Sequence, residues 1–82
     1  MTMQDLIDEA KRMGWTLESA GHGTAWFNRR GELLGIDVWT GRDNGRVYGR
    51  LMLNGKTVFT VSDWQGNGAR RFLMGALKAK AR

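Results

Sequence analysis

Residues 47–61, which read VYGRLMLNGKTVFTV, predict a β-hairpin and with it the fold class of the chain. Asn54-Gly55 favours a two-residue type I′ turn, because both central positions of that turn need a positive φ. A regular turn of this kind predicts that Leu51 and Val58 share one side of the sheet. The other side, where Arg50 faces Phe59, is then predicted to carry also Tyr48, Met52 and Val61.

Period-two alternation and glycine-rich turns continue this pattern toward the N-terminus. The strands are predicted at residues 15–19, 24–28, 34–39, 47–53 and 57–61. Arg30-Gly31 and the segment 41–45 are predicted turns between them. Neither side of the hairpin is purely polar, and two arrangements follow. We expect both faces of the sheet to be covered, as small cores favour; the alternative is that one face presents an aromatic, arginine-bearing surface to a partner.

A helix is predicted at the N-terminus, over residues 3–13. Thr2 and Asp5 have the spacing of a capping box, and an apolar stripe follows them. Gly14 is placed to end the helix in the left-handed conformation. Trp15 is expected to fold back and pack on the last helical turn.

A second, amphipathic helix is predicted to begin between residues 63 and 68 and to run to the end of the sequence. The 82 residues then form one α+β domain, 1–82. Its parts are an N-terminal helix, an antiparallel meander sheet of three to five short strands, and a C-terminal helix packed on one face.

Composition excludes several kinds of site and compartment. The chain has no cysteine and one histidine, so it cannot form a thiolate site or an imidazole cluster. Asp37, Asp43 and Asp63 are dispersed near turns, and neither a metal nor a cofactor is predicted. No segment approaches the roughly 18 apolar residues of a membrane span, and the N-terminus lacks signal-peptide features. We therefore expect a cytoplasmic protein with no membrane partner.

Positive charge is concentrated in the C-terminal half. Residues 1–45 carry five Lys/Arg and seven Asp/Glu, a net of −2, whereas residues 46–82 carry eight Lys/Arg and one Asp, a net of +7. Such a half attracts nucleic acid, although the same charges also suit a solvated helix face. We predict phosphate contacts through the C-terminal helix and the 46–61 hairpin, to either RNA or DNA. The predicted binding residues are Arg46, Arg50, Lys56, Arg70, Arg71, Lys78 and Arg82, with Tyr48 and Phe59 as candidate stacking residues.

The one histidine lies in the turn sequence Gly21-His22-Gly23. Imidazole titrates near neutrality and can act as a general base on a ribose hydroxyl, so His22 is a candidate catalytic residue for metal-free RNA cleavage. An exposed turn histidine without a catalytic role is the plainer interpretation. Whether the chain is an enzyme is left open.

A family resemblance is carried by Leu6-Ile7, Met13-Gly14-Trp15, Gly21-His22-Gly23, Trp26-Phe27 and Arg30-Gly31. In this order they resemble the opening of HicA-type toxins, in which a helix ends in Gly-Trp and a histidine turn separates two strands. The resemblance implies a fold like that of double-stranded-RNA-binding domains, and cleavage of mRNA by the turn histidine.

The order of elements over the whole chain is similar to that of two further classes. A C-terminal helix that starts with Arg70 and Arg71 resembles the phosphate-binding helix of double-stranded-RNA-binding domains. The last strands and helix resemble three-stranded-sheet DNA readers such as the arm-binding domains of tyrosine integrases. That second resemblance implies DNA contacts at Arg46, Tyr48, Arg50 and Lys56. A small phage-type or regulatory inhibitor that grips an acidic protein surface is the remaining alternative, and the oligomeric state is left open.

Overall fold

The chain forms one helix, five strands and a second helix, in that order, and the computed structural model describes all 82 residues. The five strands form one antiparallel sheet in the order β1-β2-β3-β4-β5. The predicted α+β meander is therefore confirmed, at the upper end of the predicted strand number. Neither helix combines the length and apolar character needed to cross a membrane. The elements are α1 Met3–Arg12, β1 Thr16–Gly21, β2 Thr24–Arg29, β3 Glu32–Thr40, β4 Val47–Leu53, β5 Lys56–Asp63 and α2 Gly66–Lys80.

The ends of α1 follow the signals in the sequence. Thr2 is the N-cap, and Thr2 and Asp5 form the predicted capping box. The helix ends at Arg12, one residue earlier than predicted, and Gly14 has a φ of +94°. Trp15 is buried as predicted, and its indole Nε1 donates a hydrogen bond of 2.8 Å to the carbonyl of Ala81 beyond α2.

Tight two-residue turns connect β1 to β2, β2 to β3 and β4 to β5; only the connection from β3 to β4 is longer. Each has a non-glycine residue followed by a glycine, both with positive φ, which matches the right-handed twist of the flanking strands. Asn54-Gly55 has the two-residue form that the sequence predicts. His22-Gly23 and Arg30-Gly31 form the other two, at positions where the sequence also predicts turns.

Both helices pack on the same face of the sheet, here called the covered face. Buried residues of α1 and α2 join buried residues of β2, β3 and β4 in one core cluster. Leu73 of α2 lies so close to β4 that a Cβ built on Gly49 would be 2.6 Å from the Leu73 Cδ1. The centre of the core is formed by Leu6, Phe27, Leu34, Ile36, Leu51, Leu73 and Leu77.

The register of the β4–β5 hairpin differs from the prediction because β5 contains a bulge. Met52 pairs with Thr57, but the next pair is Leu51 with Phe59, so Val58 is the extra residue. From the bulge onward every side chain of β5 changes face. The predicted register is therefore wrong: Phe59 packs against the core on the covered face instead of lying opposite Arg50, and Val61 changes face in the same way.

The opposite face of the sheet, here called the open face, has no layer on it. The expectation that both faces are covered is wrong, because the chain has two helices and both lie on the covered face. The predicted alternative, a face that presents aromatic and arginine side chains, describes the structure.

Candidate functional site

Large aromatic side chains are exposed on the open face. Three of the four tryptophans lie on it or at its end: Trp26, Trp39 and Trp64 are 36%, 46% and 65% exposed. Exposed apolar patches on a small protein mark interaction surfaces. The open face is lined by the outward side chains of β2 to β5, among them Trp26, Asp37, Trp39, Tyr48, Arg50 and Met52, with Arg46 and Trp64 at its end.

Trp39 and Tyr48 form a stacked pair across β3 and β4. Their ring centroids are 5.6 Å apart and their planes differ by 18°. The Nδ2 of Asn44 donates a hydrogen bond of 2.9 Å to the Tyr48 hydroxyl, which ties the pair to the β3–β4 connection. An offset pair of this kind contributes about 0.5–1.5 kcal/mol beyond its buried area. Both rings are thus held in one orientation.

Arg50 lies beside this pair and is oriented by a carboxylate. Its Nε and Nη2 donate hydrogen bonds of 3.0 and 2.6 Å to the Oδ2 of Asp37, which is 7% exposed. The guanidinium carbon is also 5.7 Å from the Trp39 ring centroid. Asp37 offsets the charge of Arg50 and fixes where its remaining N–H donors point.

Arg46 is the second arginine of the open face and has no carboxylate partner. Its Nη2 donates a hydrogen bond of 2.9 Å to the Ser62 hydroxyl. Its guanidinium carbon is 4.6 Å from the centroid of the Trp64 ring, within cation–π distance. The pair therefore places an uncompensated positive charge against the most exposed tryptophan.

Trp26 lies across the backbone of the neighbouring strand. A Cβ built on Gly35 would be 2.6 Å from the Trp26 Cζ3 and 2.9 Å from the Met52 Cε. Only glycine therefore lets the indole rest on β3 beside Met52, and Gly35 itself is buried beneath them. The ring is supported from below while 36% of the residue remains exposed.

The structure divides the predicted basic residues between two sides of the molecule. Arg71 and Lys78 are exposed on α2, away from its buried Leu73 and Leu77, and Arg82 is exposed just beyond its end. Because α2 covers one face of the sheet and the two hairpin arginines lie on the other, these residues do not form one surface with Arg46 and Arg50.

Two other predicted basic residues lie apart from the open face. Arg70 is half-buried, and its Nε donates a hydrogen bond of 2.7 Å to the Met1 carbonyl. Lys56 is exposed beside the Asn54-Gly55 turn.

The N-terminus of α2 already has a carboxylate against it. A Cβ built on Gly68 would overlap the Oδ2 of Asp63, so that carboxylate lies on the first helical turn. No side chain caps the helix at Gln65. Asp63 supplies the negative charge that a helix N-terminus favours, and it would repel a phosphate there.

His22 is exposed at the tip of the β1–β2 turn, with a φ of 54°. No three of the His, Asp and Glu side chains lie close enough together to hold a metal ion. A catalytic role for His22 stays a prediction.

A cleft of about 600 Å³ lies between the end of α1 and the β2–β3 turn, and Arg29, Arg30 and Arg82 are among the residues that line it. The Arg29 guanidinium is hydrogen-bonded to the backbone there. Its Nη1 donates to the Met13 carbonyl and its Nη2 to the Arg82 carbonyl, at 2.9 and 2.7 Å. Its guanidinium carbon also lies 4.1 Å from the Trp15 ring. This arginine braces the two helix ends together.

Sequence reasoning missed the three exposed tryptophans as site residues. The signal was the alternation itself: Leu34, Ile36 and Val38 point into the core, so Trp39 must point out with Gly35 and Asp37. Trp26 alternates in the same way between the buried Ala25 and Phe27.

Comparison of the chain with protein-family models, with curated proteins and with solved structures finds no significant match in any of the three. The resemblance to HicA-type toxins therefore stays a prediction based on the residues quoted for it.

Proposed function

We propose that this protein is a nucleic-acid-binding module that holds its ligand on the open face. The observation that carries the proposal is the uncovered sheet with Trp26, Trp39 and Trp64 exposed beside Arg46 and Arg50. Aromatic rings stack on bases, and arginine binds phosphate and stacks on rings, so together they have the chemistry of nucleic-acid recognition.

The charge of the chain supports the same ligand. The net charge is +5, and Arg46 carries a positive charge on the open face without a carboxylate partner. Arg46 is suited to bind a phosphate at the rim of the aromatic surface. Arg71, Lys78 and Arg82, on the other side of the molecule, add to the long-range attraction without touching a ligand on the open face.

The experiment is a titration of labelled single-stranded and duplex RNA and DNA at about 50 and 200 mM salt. We expect binding at low salt that weakens as the salt concentration rises. Absence of binding to all four ligands at low salt would contradict the proposal.

Arg46→Gln and Arg71→Gln are matched variants, because each removes one charge and they lie on opposite sides of the sheet. Arg46→Gln is expected to weaken binding several-fold and to reduce the salt slope by about 1. Arg71→Gln is expected to have a smaller effect. If Arg71→Gln weakened binding more than Arg46→Gln did, the nucleic acid would have to bind on α2 and not on the open face.

RNA cleavage by His22 is a second candidate function, which rests on the resemblance to HicA-type toxins; the exposed imidazole is accessible to an RNA strand. Mass spectrometry of an RNA incubated with the protein would detect the cleaved strands. If His22→Ala cleaved RNA as fast as the parent, or if neither cleaved it, this second function would be abandoned.

A further inference from the structure

We infer that the open face selects single-stranded nucleic acid over duplex, because unpaired bases stack on its exposed tryptophans. The inference rests on the proposed function and adds the class of ligand. It follows from how the rings are supported, how they are spaced and how wide the sheet is.

Each exposed tryptophan is supported on one side. Trp26 rests on Gly35 and Met52, and Trp39 is stacked with Tyr48. Trp64 is supported by the Arg46 guanidinium. A ring that is already fixed loses little conformational freedom when a base stacks on it, so little of the stacking energy is offset.

The rings are spaced for a strand that crosses the sheet. Gly35, which is opposite Trp26, and Trp39 are four residues apart on β3, which corresponds to about 13 Å. Trp64 follows β5, which is two strands away from β3, or about 10 Å. One extended strand can therefore place bases on all three rings, with further nucleotides between them.

A duplex fits the open face poorly. Five strands have four spacings and measure about 19 Å across, whereas the major groove is about 12 Å wide, so the sheet cannot enter it face on. In a duplex the faces of the bases are stacked on each other and cannot reach a tryptophan. The groove-binding arrangement of three-stranded sheets is thus unsuited to this wider sheet.

The charges agree with a flexible single strand. Arg46 and Arg50 carry positive charge on the open face, and Asp37 offsets the second of them. A single strand can bring individual phosphates to these two positions while its bases stack. Because every base has a flat face, we expect little sequence preference.

The test compares an oligothymidylate of about 15 nucleotides with a blunt DNA duplex of the same length, by fluorescence anisotropy at one salt concentration. We expect the single strand to bind at least ten-fold more tightly than the duplex. Trp64→Ala and Trp26→Ala are expected to weaken single-strand binding by roughly 5- to 100-fold, the usual range for one lost stack.

Phe72→Ala is the matched control, because Phe72 is 59% exposed on α2, on the other side of the molecule. Circular dichroism establishes that each variant is folded. Equal affinity for strand and duplex, or tryptophan variants that bind no worse than Phe72→Ala, would overturn the inference while leaving nucleic-acid binding intact. Absence of binding to both DNA ligands would also overturn the inference, and absence of binding to single-stranded and duplex RNA as well would overturn nucleic-acid binding itself.

Discussion

The indole N–H of Trp15 is hydrogen-bonded to the backbone carbonyl of Ala81, 66 residues further along the chain. The bond is buried and joins the start of β1 to the end of α2, where Arg29 stacks on the same indole. The C-terminal end of α2 is thereby tied to the connection between α1 and β1.

Replacement of Trp15 by Phe is expected to lower the free energy of unfolding by about 1–3 kcal/mol, because it removes the donor and leaves a small gap. Urea denaturation measures the change. Trp64→Phe, at the most exposed of the four tryptophans, is the control and is expected to stay within about 0.5 kcal/mol of the parent. Equal losses in the two variants would contradict the structural role of the hydrogen bond.

Gly49→Ala is expected to destabilise the fold by about 1–3 kcal/mol. The new methyl group would lie 2.6 Å from the Leu73 Cδ1 and 3.0 Å from the Val61 Cγ1, so α2 would have to move away from β4. Gly75→Ala is the matched control: it lies in α2 with nothing within 4 Å of its Cβ position. Alanine at position 75 is expected to stabilise the helix by about 0.5–1 kcal/mol, because alanine has the higher helix propensity. Thermal melting should shift in opposite directions for the two variants.

The stability of α1 is expected to depend on pH through Asp5. A hydrogen bond from the backbone N–H of Thr2 lowers the pKa of this carboxyl below its usual value. A lowered folded-state pKa stabilises the fold above the unfolded pKa, and the stabilisation is lost as the pH falls through the folded value.

Asp5→Asn is therefore expected to be less stable than the parent at about pH 6 and to approach the parent's stability near pH 2. Urea unfolding at both pH values measures the difference. Asp43→Asn, in the exposed β3–β4 connection, is the control. A difference between Asp5→Asn and parent that stayed the same at both pH values would contradict the hydrogen bond's role.

Asp37→Asn is expected to change stability and binding in opposite directions. The variant weakens the hydrogen bonds that hold Arg50, so unfolding should become easier by about 1 kcal/mol. It also removes the negative charge from the open face, so a single strand should bind several-fold more tightly with a steeper salt dependence. Tighter binding would not be seen if the ligand bound to α2, on the other side of the sheet.

Local signals in the sequence predicted the fold well. The Thr2–Asp5 capping box and the Asn54-Gly55 turn each depend on a few adjacent residues, so they could be recognised without tertiary information. The meander followed from these turns, because short connections leave each strand beside the one before it.

The bulge in β5 could not be predicted from the turn. A regular ladder would have put Val58 and Thr60 on the covered face and left Phe59 exposed. One extra residue at Val58 instead moves Phe59 and Val61 to the covered face beside Leu51. Burial of the Phe59 ring stabilises the fold by more than the interrupted strand pairing at the bulge costs. That balance depends on the packing of α2, which cannot be read from the sequence of the hairpin alone.

The candidate site was predicted only in part. Arg46, Tyr48 and Arg50 do lie on the open face, as their positions on β4 or next to it suggested. These three residues are separated from Arg71 and Lys78 because α2 lies on the opposite face of the sheet. The choice of that face is made by the packing of Leu73 and Leu77, and net charge along the chain carries no information about it.

The meander topology has a consequence for the speed and order of folding. Every strand pairs only with its neighbours in sequence, so the sheet closes small loops, whereas the Trp15–Ala81 and Arg29–Arg82 bonds close loops of 66 and 53 residues. We expect the hairpins to assemble first and the docking of α2 to follow the rate-limiting barrier. Conservative truncations at Leu34 should then slow refolding, and those at Leu77 should accelerate unfolding instead, as stopped-flow chevron plots would measure.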